Sequence, residues 1–400
     1  MNPELEKLHA YPFEKLKKLL SECNANTKKP SITLAIGEPK HQTPKFITEE
    51  LKANIGNISI YPTTRGTNEL KTTIIDWLCR RFHLSHKTLD EERNILPVNG
   101  TREALFSIAQ TIINKKNVKP IVMMPNPFYQ IYEGAALLAG AEPYYLNCIE
   151  ENKYIPDLSL VPKEIWERCQ LFYLCSPGNP SGAVVDFDFI KELMKLADKY
   201  NFIIASDECY SEIYYDEKKP PLSLLEYAKK LGNTEYKRCL IFHSLSKRSN
   251  VPGLRSGFVA GDSEMIEIFY RYRTYHGCAM PLHVQKASIA AWNDEEHVKE
   301  NRNIYRKKFL RVCCELEPVL PVSPPSGGFY LWPKLPNSDV DFAKELYQSE
   351  NVKVLPGSYL SRKIDNINPG NKRIRIALVA ETDTCIEAAK RIKKFLENMY

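Results

Sequence analysis

The chain has 400 residues, more than one hydrophobic core normally serves, so its length predicts one large and one smaller domain. Its hydrophobic content of 43% and charged content of 26% are typical of a globular enzyme. The net charge of +6 is spread along the chain without a block of like charges, which argues against a nucleic-acid-binding surface.

The cysteines and the N-terminus bear on the compartment. The chain has 11 cysteines, an odd number with no C-x-x-C pair, and most sit in apolar runs, which predicts free thiols in a reducing environment. The first residues lack the basic and apolar regions of a signal peptide, and no run reaches the ~18 apolar residues of a membrane span. The histidines show no metal-ligand spacing. We therefore predict a cytoplasmic protein with no membrane, nucleic-acid or metal partner.

The predicted elements alternate between helix and strand. Apolar spacing predicts helices over residues 4–20 and from Thr67 onward. The predicted strands lie at 121–124, 170–175, 202–205, 240–242 and 257–260, and further helices at 128–138, 188–200 and 264–272. This alternation, with nearly continuous apolar strands, predicts an α/β fold with a mostly parallel, buried sheet. Ligands of such sheets bind beyond the carboxyl ends of the strands.

The last third of the chain has a different pattern. Residues 298–318 predict a long polar helix. Three apolar runs at 327–332, 352–355 and 373–377 predict strands. Together these segments predict a smaller α+β unit.

A lysine at the end of one apolar run suggests covalent chemistry. Lys247 closes a Ser-x-Ser-Lys motif and is followed eight positions later by Arg255. Its amine suits condensation with a phosphorylated aldehyde, whose phosphate Ser244, Ser246 and Arg255 can hold. Asp207 ends another apolar run and can keep a pyridine nitrogen protonated, although alone it could merely begin a turn. The predicted cofactor is pyridoxal 5'-phosphate, with Lys247 and Asp207 as catalytic groups.

Further residues suit the ring of that cofactor. Asn179, in a Pro-Gly-Asn-Pro-Ser-Gly segment, and Tyr210, three residues after Asp207, can donate hydrogen bonds to the phenolic oxygen of the ring. We count Tyr210 among the catalytic residues and Asn179 among the substrate-binding ones as well. Tyr129 follows a predicted strand and can stack on the ring, although it could also be a core residue.

An anion site and a carboxylate site complete the predicted set. Gly100, Thr101 and Arg102 precede a helical pattern, so their amides would lie at a helix N-terminus, where a phosphate is favoured. The alternative is a helix cap without a ligand. Arg375 lies between two isoleucines of a predicted strand and can bind a substrate α-carboxylate with two hydrogen bonds.

These motifs together resemble a known family. Asn-Pro-Ser-Gly, Asp-x-x-Tyr, Ser-x-Ser-Lys with Gly-x-Arg-x-Gly, and Arg-Ile-Arg are similar to those of class I and II aminotransferases of fold type I. Longer strings at 206–214, 243–261, 272–280 and 354–359 resemble the N-succinyldiaminopimelate aminotransferases of bacterial lysine biosynthesis.

The resemblance implies an architecture and an assembly. It implies a large cofactor-binding domain over residues 46–290 and a small domain built from residues 1–45 and 291–400. It also implies a homodimer with active sites at the subunit interface. Tyr61 would then donate its hydroxyl to the phosphate of the partner's cofactor, and Gly37 would bring backbone close to the substrate carboxylate.

The resemblance also implies an activity. The reaction would be ping-pong amino transfer between glutamate or 2-oxoglutarate and N-succinyl-2-amino-6-oxopimelate. Both substrates carry several carboxylates, so we expect at least one further cation to bind the distal or succinyl carboxylate. The candidates are Arg65, Arg248, Arg271 and Arg273.

Three alternatives stay open at this point. The chain could be another class I aminotransferase, acting on aspartate, an aromatic amino acid or LL-diaminopimelate. It could be a pyridoxal phosphate lyase that cleaves a C–S bond, because the same ring and lysine serve that reaction. A regulatory, non-enzymatic domain is disfavoured because it would not need the complete set of Lys247, Asp207, Tyr210 and Asn179.

Overall fold

The computed structural model describes residues 2–116 and 119–399. Its strands are β1 (Ile32–Thr33), β2 (Ile95–Val98), β3 (Ile121–Asn126), β4 (Glu142–Asn147), β5 (Cys169–Cys175), β6 (Ile203–Asp207), β7 (Cys239–Ser244), β8 (Gly257–Gly261), β9 (Tyr330–Leu331), β10 (Val352–Lys353), β11 (Leu355–Pro356) and β12 (Ile374–Ala377). Short 3-10 helices lie at Pro3–Lys7, Ile55–Ser59, Glu150–Asn152, Leu158–Leu160, Pro252–Leu254 and Gly357–Leu360.

The α-helices lie between and around these strands. They are α1 (Pro12–Ser21), α2 (Lys45–Ala53), α3 (Asn68–Phe82), α4 (Thr101–Ile112), α5 (Gln130–Leu138), α6 (Lys163–Trp166), α7 (Phe187–Tyr200), α8 (Leu224–Lys230), α9 (Leu245–Arg248), α10 (Ser263–His276), α11 (Leu282–Asn293), α12 (Glu296–Leu316), α13 (Asp339–Glu350) and α14 (Thr382–Glu397). Local chemistry sets several of the ends. The Thr67 hydroxyl caps α3, and Asn201 ends α7 in the left-handed conformation at φ 56°.

A seven-stranded sheet forms the centre of the larger unit. Its order is β2-β8-β7-β6-β5-β3-β4, and the pairs from β7 through β6, β5 and β3 to β4 are parallel. Only β8 runs antiparallel, against β7 and β2. The prediction of an α/β fold of type I with a mostly parallel sheet is confirmed.

Both faces of this sheet are covered by helices. Phe172 and Leu174 of β5 join one hydrophobic cluster, which includes residues of α3, α7, α8 and α11. Leu171 and Tyr173 of the same strand join a second cluster with residues of α4, α5 and α10. A strand buried on both sides needs apolar residues at successive positions, which explains the continuous apolar runs in the sequence.

A second unit has its own core. It contains the antiparallel sheet β11-β12-β9, of which β12 and β9 pack with residues of α12, α13 and α14 in one cluster. The strand β1 near the N-terminus pairs in parallel with β10, and Ile32 and Leu34 belong to the same cluster. The proposed domain boundaries at residues 45/46 and 290/291 remain a prediction.

Three predicted elements are different in the structure. The single helix predicted over 4–20 is wrong: the structure has a 3-10 helix at Pro3–Lys7 and then α1. The chain is extended at Tyr11, and Pro12, which lacks an amide hydrogen, begins α1. The strand predicted over 327–332 is reduced to β9, since Gly328 is left-handed at φ 82°. The strand predicted over 352–355 divides into β10 and β11, which belong to different sheets.

Candidate active site

A cavity of about 540 Å³ opens at the carboxyl edge of the parallel strands. Its lining combines the ends of β5, β6 and β7 with the N-terminus of α4 and with segments of the smaller unit. It is lined by Tyr11, Phe13, Ile36, Gly37, Thr101, Arg102, Tyr129, Gln130, Cys175, Asn179, Asp207, Cys209, Tyr210, Ser244, Ser246, Lys247, Pro252, Arg255, Tyr330, Leu360 and Arg375. The lining includes 12 of the residues singled out in the sequence, among them Lys247, Asp207 and Arg375.

Lys247 projects into this cavity from the short helix α9. Its Nζ donates a hydrogen bond of 2.6 Å to the carbonyl oxygen of Gly37. Burial lowers the pKa of Lys247 to about 8, and the nearby guanidinium groups of Arg375 and Arg255 act in the same direction. A lysine with this pKa is partly neutral near pH 8, and a neutral amine is nucleophilic.

Ser244 and Ser246 lie beside it at the start of α9. The Ser244 side chain caps the helix by accepting from the Ser246 amide at 3.1 Å, and its hydroxyl donates to the Ser246 hydroxyl at 2.9 Å. Both side chains are buried and line the cavity. Two hydroxyls and a helix N-terminus face the same space, which favours an anion.

Arg255 lies against the backbone of Gly100 on the other side of this space. A Cβ atom at Gly100 would approach the Arg255 Nη2 atom to 2.1 Å, and Gly100 has a left-handed φ of 87°. Thr101 is buried in the first turn of α4. Only glycine therefore permits this close approach of a guanidinium to a helix N-terminus. The predicted phosphate residues are together in space.

Asp207 is buried at the end of β6. Its Oδ2 atom accepts a hydrogen bond of 2.7 Å from the hydroxyl of Tyr132, and its Oδ1 atom accepts one of 3.2 Å from the amide of Cys209. Burial raises the pKa of Asp207, and the hydrogen bonds from Cys209 and Tyr132 oppose that rise. A carboxylate in this position gains most from a positively charged group placed beside it.

Arg375 on β12 reaches the cavity from the smaller unit. Its Nη1 atom donates to the Asn179 side chain at 3.1 Å and its Nη2 atom to the Ala35 carbonyl at 2.8 Å. The Nε atom is buried and, among the residues that the structure describes, has no hydrogen-bond partner. The Tyr330 ring lies 4.5 Å from the guanidinium. A buried donor without a partner is the feature expected where a ligand carboxylate binds.

The remaining predicted ring contacts also line the cavity. The hydroxyl of Tyr210 is hydrogen-bonded to that of Tyr330 at 2.9 Å. Tyr129 precedes α5, and its ring packs edge-on against Tyr132 at 5.7 Å. Gly37 fits closely under Tyr330, because a Cβ there would lie 1.9 Å from the tyrosine hydroxyl oxygen.

Five predicted binding residues lie outside this cavity. Tyr61 is 99% exposed on the surface. Arg248 is buried and donates to the Ala291 carbonyl and to Glu295. Arg273 is buried and paired with Glu103, at 3.0 Å. Arg65 binds Glu267 and stacks on Tyr270, and Arg271 is exposed beside a separate depression lined by Tyr272 and Tyr275. None of the four candidate arginines lines the cavity of its own chain.

Several residues in or behind the cavity were missed in the sequence; Tyr132 does not line it but donates to Asp207, which does. Tyr132 lies one helical turn from Tyr129, and that spacing could have indicated it. Tyr330 lies in the predicted strand 327–332 but carries no motif of its own. Tyr11 and Phe13 come from α1 and its approach, more than 200 residues from Lys247, and no local signal places them here.

Other kinds of site are not supported by the described part of the chain. Residues 2–116 and 119–399 contain no cluster of acidic, histidine or cysteine side chains that could hold a metal ion. Within the same ranges, no helix is both long and apolar enough to cross a membrane. All 11 cysteines are free thiols, as the sequence predicts.

Comparisons with known proteins agree with this geometry. An aminotransferase from Neisseria meningitidis superposes with a TM-score of 0.95 at 49% identity, over 99% of this chain and 100% of that one. A probable N-succinyldiaminopimelate aminotransferase from Thermus thermophilus has a TM-score of 0.84 at 25% identity, over 96% and 100%. The LL-diaminopimelate aminotransferase of Aquifex aeolicus is 32% identical over 90% of each chain. The model of class I and II aminotransferases matches residues 29–392, and the chain belongs to this family, whose cofactor is pyridoxal 5'-phosphate.

Proposed function

We propose that this aminotransferase exchanges an amino group between glutamate and N-succinyl-2-amino-6-oxopimelate in a ping-pong reaction. The observation that carries the proposal is the meeting of Lys247, Asp207 and Arg375 in one cavity of about 540 Å³. These three side chains supply a nucleophilic amine, a buried acid and a carboxylate-binding cation. Amino transfer between amino and keto acids needs all three.

The residues of the cavity fit pyridoxal phosphate. The glycine-lined contact between Gly100 and Arg255, with Ser244 and Ser246 opposite, suits a phosphate dianion. The buried carboxylate of Asp207 suits a protonated pyridine nitrogen. When bound, the cofactor supplies an aldehyde for an amine and a ring that accepts electrons from the substrate carbon. Tyr129, Asn179 and Tyr210 are proposed to hold the ring between them.

We propose that Lys247 moves the proton of the reaction. Its Nζ would take the proton from the substrate Cα and later return a proton to the product side. The lowered pKa of about 8 keeps a fraction of this amine unprotonated near neutral pH. The carbonyl of Gly37 accepts from Nζ and so directs the amine within the cavity.

We propose that Arg375 holds the substrate α-carboxylate. The Nε–H has no partner and shares one edge of the guanidinium with an N–H of Nη2, so a carboxylate could accept two parallel hydrogen bonds there, while Nη1 on the opposite edge is held by Asn179. The Ala35 carbonyl also accepts from Nη2 and helps to fix the guanidinium. This arrangement would place Cα between the arginine and Lys247.

Arg102 is our candidate for the distal carboxylate within the same chain. Its side chain is exposed at the cavity, 5.8 Å from the Tyr11 ring, and no acidic partner of it occurs among the described residues. The four arginines that the sequence suggests for the distal or succinyl carboxylate are less suitable. Arg248 and Arg273 are held by other groups, and Arg65 or Arg271 could reach a carboxylate only in a neighbouring subunit.

The proposed assembly is a homodimer in which Tyr61 reaches the partner's cofactor phosphate. Tyr61 is exposed, and the neighbouring Ile58 and Ile60 are 69% and 55% exposed. Contiguous exposed apolar side chains of this kind are typical of interaction surfaces. A sedimentation measurement that finds only monomers would contradict the assembly.

A second candidate acceptor is the oxo acid that corresponds to LL-diaminopimelate. It is favoured by curated relatives named LL-diaminopimelate aminotransferase, which are 31% and 32% identical to this chain. The N-succinyl substrate is favoured by the Thermus structure and by the longer sequence strings.

A half-reaction screen separates these functions. The yellow holoenzyme is mixed with glutamate, N-succinyl-LL-diaminopimelate, LL-diaminopimelate or aspartate, and its absorption spectrum is followed. We expect glutamate and the N-succinyl compound to bleach the spectrum fastest, with 2-oxoglutarate as the product of glutamate. Faster reaction of LL-diaminopimelate would favour the second acceptor. A separate incubation with a cysteine-derived thioether tests the lyase alternative, for which pyruvate and ammonia are the expected products.

A further inference from the structure

A buried lysine lies behind the cavity without contacting it. Lys308 of α12 is 0% exposed, and its Nζ donates to the His41 Nε2 atom at 2.5 Å, to the Leu378 carbonyl at 3.3 Å and to the Ala380 carbonyl. All three ammonium protons are therefore used. The two carbonyls directly follow β12, the strand that carries Arg375.

His41 continues this network towards the larger unit. Lysine offers no acceptor, so the His41 Nε2 atom must accept and its Nδ1 atom carries the proton. Nδ1 lies 2.8 Å from the Asn301 Oδ1 atom, to which it donates. Burial lowers the pKa of His41, and the charge of Lys308 adds to this effect. The neutral ring thus links a cation on one side to an amide on the other.

Asn301 connects the network to the backbone of Lys247. Its Nδ2 atom donates to the Lys247 carbonyl at 3.3 Å, while Asn250 donates to its Oδ1 atom at 3.1 Å. The hydroxyl of Thr43 in turn donates to the Asn250 carbonyl at 3.0 Å. Asn250, three residues after Lys247, is therefore hydrogen-bonded to both Asn301 and Thr43.

Residues 37–43 make hydrogen bonds near both Lys247 and Arg375. Gly37, four residues before His41, accepts from the Lys247 amine. The amide of Lys40 donates to the Val379 carbonyl at 3.2 Å, just beyond β12. Residues 37–43 thus bridge the helix that carries Lys247 and the strand that carries Arg375.

We propose that Lys308 and His41 are positioning residues that fix the Lys247 amine relative to the Arg375 guanidinium. The inference rests on the proposed function, in which the arginine holds the substrate carboxylate and the lysine moves the Cα proton. A misplacement of about 1 Å between a bound substrate and a catalytic group can cost about 100-fold in rate. Hydrogen bonds in a water-poor interior are stronger than in solvent and polarise one another, so this network can hold a distance well.

The test must separate positioning from stability, because losing any buried lysine with its partners destabilises a protein. Lys71 provides the matched control: its side chain is 1% exposed and bound to Glu92, away from the cavity. Lys308→Met and Lys71→Met are prepared as holoenzymes and compared with the parent protein. The measurements are thermal stability, cofactor retention, and the half-reaction with glutamate and Cα-deuterated glutamate.

We expect Lys308→Met to lower kcat/KM for glutamate by about 10- to 100-fold. The deuterium isotope effect should rise, because a misplaced amine makes proton transfer slower relative to other steps. Cofactor retention should stay within about twofold, since the network contacts only the backbone carbonyl of Lys247, and the other proposed cofactor residues lie outside it. Lys71→Met should lose stability but keep the parent kinetics and isotope effect.

A second pair of variants keeps the test decisive if Lys308→Met does not fold. His41→Gln retains an acceptor and a donor, whereas His41→Phe removes both. We expect the glutamine variant to keep most of the activity and the phenylalanine variant to show the raised isotope effect. An unchanged isotope effect in His41→Phe and Lys308→Met, or equal kinetic losses in Lys71→Met, would overturn the inference. A parent enzyme that does not react with glutamate would instead overturn the proposed function.

Discussion

The cavity has two parts that differ in origin. Its floor is defined as Asp207, Ser244, Lys247 and Arg375, which are buried or partly buried. Asp207 and Ser244 end strands of the central sheet, Lys247 lies in the helix that follows β7, and Arg375 lies within β12. Its mouth, defined as Tyr11, Phe13 and Arg102, comes from the N-terminal helix and the start of α4 and is mostly open. The residues proposed for the chemistry are thus held by strands and a short helix, whereas the residue proposed to select the substrate, Arg102, lies at the entrance. Substitutions in the two parts should therefore have different consequences.

The largest effect is expected at the floor, from Lys247→Ala. Amino transfer should fall by about 10⁴-fold, because Lys247 is the one lysine among the described residues that line the cavity. The absorption band of the covalently bound cofactor should also disappear. Normal turnover in this variant would remove Lys247 from the chemistry.

The fold of Lys247→Ala should remain intact. Burial lowers the pKa of Lys247 to about 8, so between pH 8 and the ordinary lysine value the unfolded chain binds more protons than the folded one. At pH 7 the buried charged amine lowers the free energy of unfolding. This penalty is relieved as pH rises through that window. We expect the Tm of the variant apoenzyme at pH 7 to equal or exceed that of the parent.

The next effect is expected from Arg375→Lys. A lysine keeps the charge but loses the paired hydrogen bonds, which costs about 2–3 kcal/mol, or roughly 30- to 150-fold in kcat/KM for every amino donor. Arg373→Lys is the matched control, since Arg373 binds Glu150 and the Trp332 carbonyl instead of lining the cavity. Equal losses in the two variants would show that Arg375 has no special role.

A smaller effect is expected from Tyr132→Phe, directly behind the floor residue Asp207. The change removes the 2.7 Å hydrogen bond to Asp207 and so raises the pKa of that carboxyl further. We expect cofactor affinity, measured by equilibrium dialysis, to weaken by about 10-fold. Tyr173→Phe is the control, because the Tyr173 hydroxyl donates to the Leu105 carbonyl at 2.5 Å and not to Asp207. Unchanged affinity would show that Tyr132 does not support the ring-binding acid.

The smallest effect is expected at the mouth, from Arg102→Gln. Because this side chain is exposed, kcat/KM for donors with a distal carboxylate should fall only about 3- to 5-fold. Alanine, which lacks that carboxylate, should react as before, and Arg102→Lys should retain most of the preference. An equal loss of kcat/KM for donors with and without a distal carboxylate would show that Arg102 does not select the substrate. The floor and the mouth would then not differ in function.

The floor could be predicted because each of its residues follows an apolar run or lies in one. Asp207 and Ser244 end parallel strands, whose carboxyl ends must meet at one edge, so sequence order alone brings them together. Arg375 was recognisable as a charge within an apolar strand, which is costly without a partner.

The mouth and the supporting network could not be predicted in this way. The contacts of Tyr11 and Phe13 depend on how α1 packs after the break at Pro12, which helical spacing does not reveal. Lys308 appears in the sequence as one more charge in a polar helix, and only the fold buries it against His41. The candidate arginines 65, 248, 271 and 273 carry no signal that separates a buried ion pair from a substrate ligand.

The central claim is that one amine, that of Lys247, carries the cofactor. Reduction of the holoenzyme with borohydride, followed by proteolysis and mass spectrometry of the peptides, measures this directly. The account predicts a single reduced pyridoxyl adduct at Lys247. An adduct at another lysine, or no adduct in a protein that still transfers amino groups, would contradict it.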